Sequence, residues 1–130
     1  MNANEASDEF KAANSFLKEF EYAVKTNQPH LVAGYFVEDI KSYGSVNEVL
    51  QNFAELQSRQ WATVWNVVAD WKITNLDRLD VSPNHFACAF RWWRLNKDGQ
   101  VLNGRSTIYG RFIDSQLQVE HTHFSILNTG

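Results

Sequence analysis

The hydrophobic period of this chain changes once, near Trp61, and no other feature limits the fold as tightly. Upstream, Phe10, Ala13, Leu17, Phe20 and Val24 recur at the i, i+3, i+4, i+7 spacing of a helix with one buried stripe. Downstream, β-branched and aromatic residues alternate with polar ones in steps of two. Turn signals at "SPN" (82–84), "KDG" (97–99) and "DS" (114–115) interrupt the alternation. Four strands are expected near 64–81, 85–95, 102–113 and 116–127. Helices followed by a meander imply an α+β fold with an antiparallel sheet packing one face on the helices. With 130 residues and no repeat or linker, residues 1–130 read as one domain.

The first helix is expected from about Glu5 to Thr26, with "KTNQP" as its stop. "HLVAGYF" after Pro29 reads as a short second helix, and "VEDIKSYGS" as an extended or turning link. In "SVNE", Ser45 and Glu48 stand at capping-box spacing and open a third helix through about Arg59.

Strand parity sorts the side chains. Phe86, Cys88, Phe90 and Trp92 share the core side of one strand; Gly104, Ser106, Ile108, Gly110 and Phe112 share one side of the next. The two glycines there permit the sheet to bend or a neighbour to approach closely. The opposite side carries Arg91, Trp93, Arg105, Tyr109 and Arg111, a mixture of arginine and aromatic residues suited to a homodimer interface. A solvated face reads as well.

In the last strand, Leu117, Val119, His121, His123 and Ser125 alternate with Gln118, Glu120, Thr122, Phe124 and Ile126. Both sets mix polar with apolar residues, so parity alone does not orient "VEHTHFS". One bulge would flip every later side chain.

"YFVEDIKSYGSVNEVLQNF", "ACAFRWWRLNKDGQVLNGRSTIYGRF" and "VEHTHFS" together resemble the SnoaL-like branch of the nuclear transport factor 2-like superfamily. The resemblance implies a cone: three N-terminal helices in a strongly curved antiparallel sheet, usually in a homodimer. Residues that act in ketosteroid isomerase, a relative, fall near Phe20, Gly44 and Ile108, none of which can do that chemistry. The proton-handling aspartate of the SnoaL cyclase matches Thr122. Pocket arginines of the calcium/calmodulin-dependent kinase association domain match Trp92, Ile108 and Phe124. On this alignment Glu120 and Thr122 face the pocket, whereas His121 and His123 point outward beside Arg105, Tyr109 and Arg111.

Two functions from different classes follow. In the first, Phe20, Phe53, Phe90, Trp92, Ile108 and Phe124 form an apolar cone for a small organic ligand, Trp61 and Trp65 form its lip, and Glu120 and Thr122 orient its polar end. An enzymatic version has Glu120, desolvated among rings, shuttle a proton as in a cofactor-independent isomerase or cyclase; alternatively Glu120 pairs with a cation such as Arg94 or faces solvent on the strand. In the second, side chains fill the cone and the outer face makes the functional contact. A cavity of several hundred cubic ångströms favours the first function, and a solid core the second.

Other classes find no support. The net charge of -3 with scattered Lys and Arg argues against nucleic acid. No stretch approaches the length of a membrane span and no signal peptide opens the chain, so a soluble, cytoplasmic protein is expected. Two histidines at i and i+2 lack a third metal ligand, and no dinucleotide or phosphate loop is present, so no metal and no cofactor is expected. Cys88, alone in "FACAF", reads as a small buried hydrophobe.

Overall fold

The structure is a computed structural model that describes residues 7–43 and 49–127. Helix α1 spans Asp8–Thr26; Ser7 caps it by accepting from Phe10 N at 3.0 Å, and Asn27 ends it in the left-handed region at φ 52°. Its buried stripe is Ala13, Phe16, Leu17, Phe20, Ala23 and Val24, as the helical spacing predicts. "HLVAGYF" forms two 3-10 turns instead of a helix, Pro29–Leu31 and Ala33–Tyr35. Pro29 lacks an N–H, and Gly34 together with the β-branched Val32 gives the backbone little reason to continue a helix.

"VEDIKSY" is more than a link. Strand β1, Phe36–Tyr43, lies parallel to the last strand, pairing Ser42 with Thr122 and Tyr43 with His123. Phe36, Ile40 and Ser42 are buried along it, whereas Asp39 is exposed. The sheet therefore has five strands, one of them parallel, rather than four antiparallel ones.

The proposed Ser45–Glu48 cap and Gly44 lie outside the described residues. The described helical stretch, α2, covers residues 53–67 and opens on a different cap. Asn52 Oδ1 accepts from Glu55 N, and Glu55 Oε1 accepts from Gln51 N, both at 2.9 Å. Within α2 the hydrogen-bond register changes from α (Phe53–Glu55) to π (Leu56–Trp61), back to α (Ala62–Val64), and then to 3-10 (Trp65–Val67). Helical structure thus runs past Arg59 and takes in residues expected to open the first long strand.

Strands β2 (Val68–Ser82), β3 (His85–Asn96), β4 (Val101–Ile113) and β5 (Gln116–Ile126) follow as a meander. Spatial order is β1-β5-β4-β3-β2, an unclosed curved sheet with α1 on its concave face. Asp114 and Ser115 both have positive φ, the backbone of a two-residue hairpin turn matched to strand twist. Register shifts interrupt β2 after Val68, Ile73 and Leu76, and each extra residue bends and twists the sheet. Glu21 on α1 accepts from Ile73 N at 2.8 Å, which fixes the helix against one of these bends.

Candidate functional site

The concave face and the two helices enclose the space called here the cone. Phe20 stands at its centre, with ring centroids 5.7–6.4 Å from those of Phe16, Phe36, Trp61, Trp65, Trp71 and Phe124. Such tilted and edge-to-face pairs add to the burial of each ring. Trp61 and Trp65 stack on one another at 4.5 Å and 18°. Both are buried between α2 and β2, as core aromatics rather than an open lip, the two readings the sequence leaves for them.

The interior is nearly solid. A crevice walled by Phe20, Trp61, Trp65, Trp71, Trp92 and Phe124, with Val24, Val64 and Val68 between the rings, retains a cavity of about 30 Å³, room for about one or two water molecules. Where the resemblance implies a wide funnel, the structure has a narrow crevice. Of the eight expected ligand contacts, Phe20, Trp61, Trp92 and Phe124 meet at this crevice. Phe90, Ile108 and Thr122 lie in the buried interior without reaching it, and Phe53 stacks on Phe36 at 5.7 Å. Thr122 Oγ1 shares a buried hydrogen bond with Ser42 Oγ, so its hydroxyl is already partnered.

Two polar side chains that sequence reasoning did not assign to the site face the same crevice. Gln60 is 6% exposed and Arg94 is 8% exposed. Neither Gln60 Oε1 nor Arg94 Nε has a hydrogen-bond partner. Arg94 forms no ion pair among the described residues; its guanidinium carbon lies 5.8 Å from the Trp92 ring centroid. Burial alone lowers the Arg94 pKa, the direction set by desolvating a cation with no anion beside it. Trp92 itself is anchored, donating from Nε1 to Ser106 Oγ at 3.0 Å. Strand parity holds the signal that identifies Arg94: the inward series Phe86, Cys88, Phe90, Trp92 continues to Arg94 and Asn96.

Glu120 is not in the cone. Gly110 pairs with Val119 but Tyr109 pairs with His121, so Glu120 is the extra residue of a β-bulge. The bulge turns Leu117, Val119, Thr122 and Phe124 to the inner face, and it places Glu120 outside, where its carboxylate meets Arg111 at 3.0 Å. This corrects the assignment of Glu120 as a desolvated acid facing the ligand. A half-exposed, paired carboxylate is an ordinary surface ion.

The same bulge leaves both histidines outside. His121 stacks on Tyr109 at 5.6 Å and meets Tyr43 at 5.3 Å; His123 is exposed and 6.1 Å from Tyr43. Arg91 pairs with Asp77 at 2.8 Å, and Lys72 sits 4.7 Å from the Trp93 ring centroid. All seven residues expected at an outer interface, Arg91, Trp93, Arg105, Tyr109, Arg111, His121 and His123, therefore share the convex face. A groove there, lined in part by Asp77, Arg91, Arg105, Thr107 and His123, measures about 340 Å³. It is larger than the crevice but wide open, and its polar side chains reach solvent. Among the described residues no group of three or more His, Cys, Asp or Glu is placed to hold a metal ion.

Burial, and then the charge of His123, lower the His121 pKa below 6.5, opposed by the backbone of Lys41. A base with a depressed folded pKa contributes stability that is present above its unfolded pKa and is lost as pH falls through the folded one. The urea midpoint is expected to decline as pH drops below about 6.5. His121→Gln should flatten that decline, and an unchanged slope in the variant would exclude His121 as its source. Cys88 has no comparable role: burial pushes its thiol to about 12, which leaves it inert at neutral pH.

A curved, unclosed sheet around an N-terminal helix defines an α+β protein of the cystatin-like kind, and the comparisons agree. A nuclear transport factor 2-like superfamily protein from Salmonella enterica superposes with a TM-score of 0.73 at 15% identity, covering 97% of this chain and 96% of that one. A protein of the same type from Anabaena variabilis gives 0.70 at 16% identity, covering 100% and 96%. A cystatin-like protein from Caulobacter vibrioides gives 0.71 at 17% identity, covering 95% and 92%. The chain has the nuclear transport factor 2-like fold. No protein-family profile and no curated protein sequence matches it.

Proposed function

We propose that this protein binds a small organic molecule at the crevice between α2 and strands β2, β3 and β5, and that the crevice walls bind without acid–base catalysis. One observation carries the reading: Gln60 Oε1 and Arg94 Nε, on side chains more than nine-tenths buried, have no hydrogen-bond partner among the aromatic rings. Folding gains nothing from such an arrangement, because an unsatisfied buried polar group costs free energy and an unpaired buried charge costs more. A guest that pairs with them recovers that cost.

Among the described residues Arg94 is the one ionisable side chain lining the crevice. A guanidinium keeps its proton in a protein, so it can orient and neutralise but cannot serve as a general base. With Glu120 on the outer face, an isomerase or cyclase step through that carboxylate has no geometric basis. On volume alone, about 30 Å³ favours a filled core, so the unpaired groups carry the reading, and a guest must displace a wall such as the Trp61–Trp65 pair. That pair rides on α2, where no single hydrogen-bond register continues for more than six residues. Departures from α-helical bonding of this kind often mark functional sites.

Four of the five tryptophans line the crevice, so occupancy should alter intrinsic fluorescence. Screening small carbonyl and aromatic compounds by thermal shift is expected to yield hits that raise Tm and also change tryptophan emission. Hits that raise Tm with emission unchanged would refute the crevice as the site.

The convex face supports a compatible second reading, association of two copies of the chain. Tyr43, Val101, Tyr109 and Ile113 are exposed there among the arginines, and aromatic residues with arginine are enriched at protein interfaces. Light scattering should return twice the chain mass for the native protein and a single chain mass for Tyr109→Glu. A native monomer, or a variant that stays dimeric, contradicts this reading.

A further inference from the structure

The crevice also specifies the chemistry of its guest. Arg94 contributes one full positive charge that no carboxylate within the described protein offsets, and every other lining side chain is uncharged. A water molecule fits the cavity and can hydrogen-bond Gln60, but it cannot neutralise a cation. A monoanion can. A dianion such as a phosphate monoester would leave its second charge uncompensated in a desolvated space, at the cost that burying unpaired charge carries. The planar guanidinium fork matches the two oxygens of a carboxylate.

Shape adds a second condition. Trp61 and Trp65 lie nearly parallel at 18° on α2, and Trp71 and Trp92 lie side by side on β2 and β3, inclined by 33°. Indole faces in this arrangement accept a flat ring by stacking more readily than a bulky aliphatic cage. Gln60, with Oε1 unpaired, accepts from a hydroxyl or N–H on the guest.

We infer that the crevice takes a flat organic monocarboxylate, its carboxylate on Arg94 and a hydrogen-bond donor on Gln60. The inference rests on the reading of the crevice as a binding site and narrows it to one ligand class.

A panel of benzoate, 4-hydroxybenzoate, cinnamate and indole-3-acetate, with benzamide and phenyl phosphate as the uncharged and dianionic controls, tests it by tryptophan fluorescence at neutral pH. At least one monocarboxylate should bind saturably and at least tenfold more tightly than either control. Arg94→Met should weaken that carboxylate at least tenfold while changing benzamide affinity by less than about threefold. Arg94→Lys, which keeps the charge without the fork, should fall between them and serves if the methionine variant does not fold.

Equal binding of benzoate and benzamide, or carboxylate affinity indifferent to both variants, would overturn the monocarboxylate and leave the crevice as the site. A panel in which no carboxylate binds also overturns it. Panel members that raise Tm in a parallel thermal-shift assay without changing tryptophan emission would remove the crevice reading itself.

Discussion

Phe20→Ala is expected to destabilise the protein by about 3–5 kcal/mol, the range for truncating a fully buried phenylalanine. For a domain of this size that corresponds to a fall in Tm of roughly 10–20 °C. The ring is 1% exposed and touches rings from α1, β1, α2, β2 and β5. Few neighbours can collapse into the space, because each is held by its own ring contacts: Trp61 by Phe36 and Phe53, and Trp71 by Phe90 and Trp92. The upper part of the range therefore applies. The variant also enlarges the crevice, of which Phe20 is one wall. If it still folds at low temperature, small aromatic compounds should restore part of the lost Tm by filling the new space. A loss below about 1 kcal/mol would mean that Phe20 is not the hub of the core.

Gly104→Ala carries the second large effect, about 2–3 kcal/mol, the cost of forcing atoms into a packed core. Gly104 lies directly opposite Trp92 in the β3–β4 ladder. A Cβ at this position would overlap the six-membered ring of the Trp92 indole and the carbonyl oxygen of Ser125. The side chain that must yield is the one bonded to Ser106 and forming a wall of the crevice. Near-ultraviolet circular dichroism should change with stability, since the Trp92 environment is lost. A double-mutant cycle separates the two clashes. In a Trp92→Ala background Gly104→Ala should cost less, with the remainder due to the Ser125 carbonyl. Equal cost in both backgrounds would mean that the indole does not require the glycine.

Much of this fold is legible in the chain because period and parity are direct consequences of backbone geometry. The stripe of α1 and the inner set Phe86, Cys88, Phe90 and Trp92 are examples. Each stops being legible where a partner element decides the outcome. "VEDIKSY" carries three charges in seven residues and reads as a link, yet pairing with β5 supplies its hydrogen bonds and buries Ile40 and Ser42. The bulge at Glu120 is defined only against β4. Its trace in the sequence is the mixed polarity of both alternate sets, which becomes consistent once Leu117 and Val119 are read on one parity and Thr122 and Phe124 on the other.

Arg94 was readable by parity but hidden by residue type, because an arginine near the end of a strand is ordinarily solvated. Its burial depends on Trp92 below it and on α2 folding across the cone, neither of which a one-dimensional pattern encodes. The same limit applies to α2, whose change of hydrogen-bond register carries Gln60, Trp61 and Trp65 onto the crevice.

Replacing Arg94 also separates folding from binding. Arg94→Met removes an unpaired buried charge, and by the behaviour of buried charges replaced with apolar residues it should leave stability equal or raise it by about 1–3 kcal/mol. A residue whose removal stabilises the fold is held in place by something other than the fold.

The most direct test is the crystal structure of the protein with the tightest-binding member of the monocarboxylate panel. The guest should lie between the Trp61–Trp65 pair and Trp92, with its carboxylate within hydrogen-bond distance of Arg94 and the tryptophan pair displaced outward. A guest seated instead in the convex groove by Arg91, Arg105 and His123, with Trp61 and Trp65 still stacked, would contradict the account.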